Sequence, residues 1–202
     1  GINPSRATPS AMLPGVADSP ARPDTTHFSI VDAQGNLVAM TQTVNLPYGN
    51  ALVVPGTGFL LNNEMDDFSV KPGVANAYGL VGEDANAIAP GKRPLSSMTP
   101  TFLVAKDRVA VLGTPGGSRI ATMVLLGLFE LMDGKGAQAA ADAPRFHHQY
   151  LPDQVSAEPE AFTAEQVAAL KALGHDVQIG DRSWGNMQVV LWRRDAGAVE
   201  AG

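Results

Sequence analysis

The chain has 202 residues, with 14 Lys and Arg against 20 Asp and Glu, four His and no Cys. A net charge of −6 and a 17% charged content exclude a general nucleic-acid binder, which needs a basic surface, and a chain too charged to bury a core. The absence of Cys removes disulfides, thiolate-held zinc, iron–sulfur clusters and a thiol nucleophile. That length suits one ordinary domain with a full core. The longest apolar stretch, Met123 to Met132, is interrupted by Gly127 and Glu130 and is too short for a membrane span. The chain opens on Gly1 rather than Met, so the start of the protein is expected to lie upstream.

Residues 1–24 carry Pro4, Pro9, Pro14, Pro20 and Pro23 among small polar residues, a composition for an extended linker or tail. The composition changes at Thr25, and residues 25–202 are read as the folded region. His27–Asp32 and Leu37–Asn45 read as two strands joined at Ala33-Gln34-Gly35. With Gly35 left-handed in a three-residue loop, residue 32 pairs with 36 and Thr25 falls opposite Thr43; a slip of one still leaves the threonines neighbours. Phe59–Asn62 and Thr101–Leu112, turning at Lys106-Asp107, are further strands. Residues 66–95 form a long Gly- and Pro-rich connection, of a length usually tied to function.

Gly113-Thr114-Pro115-Gly116-Gly117-Ser118 leads into Arg119–Met132, apolar nearly all round and expected as a buried helix. A short helix follows over Ala137–Ala143. Thr163 and Gln166 have capping-box spacing and Gly174 supplies a stop, predicting a surface helix over 164–173. Val177–Ile179 and Met187–Trp192 read as the closing strands. Antiparallel strands first and helices later indicate an α+β fold.

Two readings stand at Thr25. It is either the ordinary β-branched start of a strand or a nucleophile released by cleavage after Asp24. In the second case its own α-amino group, with a pKa near ~8, is a usable general base at neutral pH, and Thr43 orients the hydroxyl. Gly116 and Gly117, ahead of a helix, offer backbone N–H groups suited to an oxyanion hole, or form a plain strand-to-helix turn. Glu64, Asp66 and Asp67 cluster directly after a strand, as a cation or ammonium site or a solvated turn. Ser96-Ser97, between Pro94 and Pro100, say little alone. His147-His148 are adjacent and read as structural, and Trp184 lines a pocket or packs.

In combination these residues resemble the small-subunit region of the γ-glutamyltranspeptidases. The resemblance runs from about Ile2 to about Gly197 and rests on Thr25-Thr26-His27-Phe28-Ser29, Leu60-Leu61-Asn62-Asn63-Glu64-Met65-Asp66-Asp67-Phe68, Lys92-Arg93-Pro94-Leu95-Ser96-Ser97-Met98, Gly116-Gly117-Ser118-Arg119-Ile120 and Ala143-Pro144-Arg145-Phe146-His147-His148. It implies an N-terminal-nucleophile hydrolase with an αββα sandwich, self-cleaved before Thr25, acting on glutathione and other γ-glutamyl amides through a γ-glutamyl-threonine ester. It further implies that Thr43 assists the nucleophile and that the Gly116 and Gly117 amides form the oxyanion hole. By the same resemblance Asn45, Glu64 and Asp67 hold the substrate's α-amino group, Ser96 and Ser97 its α-carboxylate, and Tyr78 walls the pocket. Residues 1–24 resemble the tail of the large subunit, which is the implied partner, and the implied location is periplasmic or secreted. No metal or cofactor is expected. The alternatives are a glutaryl-type acylase of the same superfamily, whose substrates lack the α-amino group, and a non-catalytic, unprocessed fragment.

Overall fold

The computed structural model describes Ser5, Arg6 and residues 25–202. The tail expected over residues 1–24 therefore lies outside the described residues, apart from Ser5 and Arg6. The described chain divides into two compact units, one holding residues 63–96 and 144–183, the other residues 25–62, 97–143 and 184–202.

The second unit is built on a hairpin and a sheet. Strands β1 (Thr25–Val31) and β2 (Leu37–Thr43) pair antiparallel, from Val31 opposite Leu37 to Thr25 opposite Thr43. The turn has the expected form: the Asp32 N–H reaches the Asn36 carbonyl, and Gly35 is left-handed at φ 83°. The Asp32 carboxylate accepts the backbone N–H groups of Gln34 and Asn36, which fixes the turn and with it the register. The strand limits shift slightly from expectation. β1 starts at Thr25 itself, and β2 ends at Thr43 because Asn45 turns left-handed, φ 75°.

Strands β3 (Thr101–Val104), β4 (Arg108–Gly113), β8 (Gln188–Arg193) and β9 (Ala198–Ala201) form an antiparallel sheet in the order β3-β4-β8-β9. The two-residue side-chain period of a strand assigns its faces. Ala110 and Leu112 of β4, with Val189 and Leu191 of β8, enter one core with Ile120, Met123, Val124 and Leu131 of helix α1 (Ile120–Met132) and Ala137, Ala140 and Ala141 of helix α2 (Ala137–Asp142). On the opposite face the hairpin packs: the Trp192 ring lies against Gly35, and the His27 ring against Gly113. The unit is a three-layer stack of helices, sheet and hairpin.

Two expectations are corrected here. α1 is not buried all round: Leu125, Phe129 and Met132 stand exposed on the face turned away from the sheet. Phe59–Asn62 is no strand; one bridge, Val53 to Leu60, joins the arms of a loop carrying Gly56 and Gly58, and that loop stays too exposed to extend a ladder.

The first unit holds a three-stranded sheet, β5 (Phe146–His147), β6 (Val155–Ala157) and β7 (Val177–Ile179), with β5 antiparallel and β7 parallel to β6. Helix α3 (Ala164–Ala172) supplies the crossover from β6 to β7, opened by the expected Thr163–Gln166 capping box. The buried Arg145–Glu158 ion pair, 3.3 Å, together with the bond from the Arg145 N–H to Glu158, ties β5 to β6. β5 and β6 escape a sequence reading because, unlike β7 with Val177 and Ile179, neither holds two β-branched residues. The long connection over 66–95 has no strand; it is held by turns and the bridges Ser69–Ala87 and Ala75–Val81.

Candidate active site

Thr25 and Thr43 face each other as direct cross-strand partners on the inner face of the hairpin. The Thr25 hydroxyl donates to Oγ1 of Thr43 at 3.1 Å, and the backbone N–H of Asn45 donates to the same oxygen at 2.8 Å. Thr43 therefore has its acceptor capacity engaged from two sides, which fixes its orientation toward Thr25. Asn45 is buried and left-handed, a backbone state that asparagine tolerates better than most residues. The hairpin thus brings together three of the residues singled out by sequence.

Two residues along from Thr25, His27 is buried in a polar seam. Its Nδ1 lies 2.7 Å from the Thr41 hydroxyl and its Nε2 3.0 Å from Ser29 Oγ, which itself donates to the Gln188 carbonyl at 3.4 Å. Donor arithmetic assigns the proton to Nε2 and makes Nδ1 the acceptor of the Thr41 hydroxyl. Burial pushes the pKa of the ring down, which favours this neutral form. Its flat face fills the space over Gly113, where a Cβ would stand 2.3 Å from Nδ1.

From Gly113 the chain runs through Thr114, fully buried, whose hydroxyl donates to the Pro115 carbonyl and accepts the Asn186 N–H. Gly116 and Gly117 follow, both at positive φ, 153° and 59°; Gly116 caps and Gly117 begins a single 3₁₀ turn (Gly117–Arg119) that opens into α1. Backbone N–H groups at a helix start have no intrahelical acceptor and carry the positive end of the helix dipole. A Cβ at Gly116 would meet the Met123 methyl at 2.0 Å. The Arg119 guanidinium lies over the Trp184 ring, 4.1 Å from its centre, and Trp184 packs against the core. Ser97, half-buried, lies in this unit, its carbonyl accepting the Thr99 hydroxyl at 2.8 Å.

In the other unit, Glu64–Asp67 form one 3₁₀ turn, which gathers three carboxylates. They separate by task. Asp66 accepts the Ala77 N–H at 3.0 Å and so pins the turn that carries Tyr78, whose own N–H is held by Asn76. Asp67 is pushed up to about 6, first by burial and then by the charge of Asp66. Glu64 is raised too, by burial and then by Asp67. A half-buried pair of carboxylates in this state gains from an approaching cation. Ser96 is exposed, immediately after Leu95, whose N–H is held by Asn86. Of the remaining candidates, His147 bonds Gln149 and His148 bonds Asp153, contacts internal to the β5 region.

Sequence reasoning gave no supporting role to His27, on the strand that Thr25 opens, or to Asn86, and it grouped Asp66 with Glu64 and Asp67 without showing that it holds the turn carrying Tyr78. A single Asn in a polar loop carries no signal of what it bridges. Among the described residues, no group of three or more His, Asp or Glu is arranged to hold a metal ion, and no helix is long and apolar enough to cross a membrane.

This arrangement has the fold of the N-terminal-nucleophile hydrolases. It superimposes on a crystal structure of acivicin-inhibited gamma-glutamyltranspeptidase with a TM-score of 0.82 at 43% identity, covering 88% of this chain and 96% of that one. A cephalosporin acylase from Bacillus halodurans matches with a TM-score of 0.73 at 28% identity, over 87% of this chain and 31% of that one. The three layers of the second unit are three of the four in that class. The family model described as Gamma-glutamyltranspeptidase matches residues 1–202, and the chain belongs to that family. It is 46% identical to the glutathione hydrolase proenzyme of Escherichia coli K12 over 193 residues and 47% identical to that of Pseudomonas aeruginosa over 204. Those alignments cover 94% and 98% of this chain but only 33% and 36% of the relatives, so the chain spans about a third of their length.

Proposed function

We propose that this chain is the catalytic part of a γ-glutamyl transferase and hydrolase whose nucleophile is Thr25, released by self-cleavage of the Asp24–Thr25 bond. The observation that carries the reading is the Thr25–Thr43 pair, hydroxyls 3.1 Å apart at the first rung of a core hairpin. The relatives' designation as glutathione hydrolase proenzymes supports it.

Cleavage frees the Thr25 amine, which takes the proton from its own hydroxyl as Oγ1 attacks the γ-carbonyl carbon. Thr43 holds the hydroxyl in line. Negative charge collects on the carbonyl oxygen and is met by the Gly116 and Gly117 N–H groups. The C–N bond breaks, the departing amine takes the proton, and a γ-glutamyl ester remains on Thr25. Water resolves it to glutamate, or an amino acid or peptide amine takes the acyl group. Asp67, Glu64 and Asn45 recognise the substrate's ammonium group, Ser96 and Ser97 its carboxylate, and Tyr78 walls the glutamyl chain. The large subunit, cut from the same precursor, is the partner, and the mature protein works outside the cytoplasm.

The similarity to an acylase makes a glutaryl substrate the comparison to run. Protein expressed from its whole gene should turn over a γ-glutamyl anilide far faster than the glutaryl anilide, because two carboxylates held above their usual pKa have no counterpart in the latter. Thr25→Ala should abolish turnover of both. Full activity in that variant contradicts the assignment.

A further inference from the structure

Asn86 belongs to none of the motifs above, yet every polar group it owns is in use. Its side-chain Nδ2 donates to the Asp67 carbonyl at 2.7 Å, and its Oδ1 accepts the Leu95 N–H at 2.9 Å. Its backbone N–H donates to the Glu83 carbonyl at 3.0 Å, and its carbonyl accepts the Ser69 N–H at 2.9 Å. The next residue, Ala87, bridges to Ser69 and accepts the Lys92 ammonium at 2.9 Å. One planar amide therefore joins two stretches of loop far apart in sequence, the turn ending at Asp67 and the strand-less run entering Ser96. Neither stretch has a regular ladder to hold it. Their separation is set by a rigid amide whose two ends cannot move independently.

We infer that Asn86 is a positioning residue that fixes the spacing between an ammonium-binding group, Asp67, and a carboxylate-binding group, Ser96, and thereby tunes selection for substrates carrying both charges on one carbon. This rests on the substrate-binding roles proposed for those two residues. An α-amino acid head presents its two charges at a fixed short separation. A site that must satisfy both at once depends on that separation, whereas a site reading one charge does not. Asn86 touches no substrate in this account and acts through Asp67 and Leu95.

The test is kinetic, on the whole protein carrying Asn86→Ala and, in parallel, Asn86→Gln, which keeps the amide but displaces it by a methylene. With two hydrogen bonds of ordinary strength removed, KM for a γ-glutamyl anilide should rise about 10-fold or more while kcat changes by less than about 3-fold. The preference for γ-glutamyl over glutaryl anilide should narrow by a similar factor in both variants. A merely structural role lowers the amount of active enzyme and leaves KM and this ratio untouched. Asp67→Asn is measured beside them. If it narrows the preference and neither Asn86 variant does, the role of Asn86 is overturned alone; if it too leaves the preference unchanged, the underlying site reading fails.

Discussion

The hydroxyl of Thr25 reaches Oγ1 of Thr43 because the two residues are opposed across the first rung of the β1–β2 hairpin, and that rung is set by the turn at the other end. The three-residue loop closed on Asp32 leaves no freedom of register. Loss of the Thr43 hydroxyl removes a partner of the proposed nucleophile without disturbing the ladder. Thr43→Val should lower kcat by about 10- to 100-fold, the size of roughly 1.4 to 2.7 kcal/mol of lost positioning. Thr43→Ser should retain most of the rate. An unchanged kcat in the valine variant would remove Thr43 from the mechanism.

The acidic turn makes a prediction about pH. The Asp67 carboxyl sits at about 6 in the free protein, raised by burial and by Asp66. A bound ammonium group favours the ionised form and draws the pKa down, so binding is linked to loss of the proton. KM for a γ-glutamyl anilide should therefore climb as pH falls through 6, by roughly tenfold per unit once below it. A glutaryl anilide, which lacks the ammonium group, should show no such limb, and Asp67→Asn should erase it. A pH profile identical for the two substrates would count against Asp67 as the ammonium partner.

Gly113 and His27 form a packed pair. A Cβ on residue 113 would lie 2.3 Å from the imidazole Nδ1 and 2.4 Å from Cε1, in a buried site where the ring is bonded on both nitrogens. Gly113→Ala should cost about 1–3 kcal/mol of stability, seen as a lowered melting temperature. Combining it with His27→Ala, which empties the contested space, should cost less than the sum of the single changes. Strict additivity would show that the two residues do not compete for the same volume.

How much of this was legible depended on the length and pattern of each element. Alternating residues and a Gly-containing turn disclosed the hairpin and the opposition of Thr25 and Thr43. The capping box at Thr163 and the apolar run after Arg119 disclosed α3 and α1. Three kinds of feature stayed hidden. β5 and β6 are short and, unlike β7 with Val177 and Ile179, hold no pair of β-branched residues, and β9, Ala198–Ala201, carries only one large apolar residue. The exposed Leu125, Phe129 and Met132 made α1 look buried all round, since an apolar side chain carries no record of whether something covers it. Supporting bonds such as Asn86 to Asp67 join residues 19 positions apart through an irregular loop, and no local rule links them.

The central claim is that Thr25 becomes an N-terminus. Its most direct test is an intact mass under denaturing conditions, on protein expressed from its complete gene and repeated on Thr25→Ala. The account predicts two fragments from the unaltered protein, the smaller beginning at Thr25, and one uncut chain from the variant. A single chain from the unaltered protein would leave the Thr25 amine locked in a peptide bond, and the proposed mechanism would be wrong.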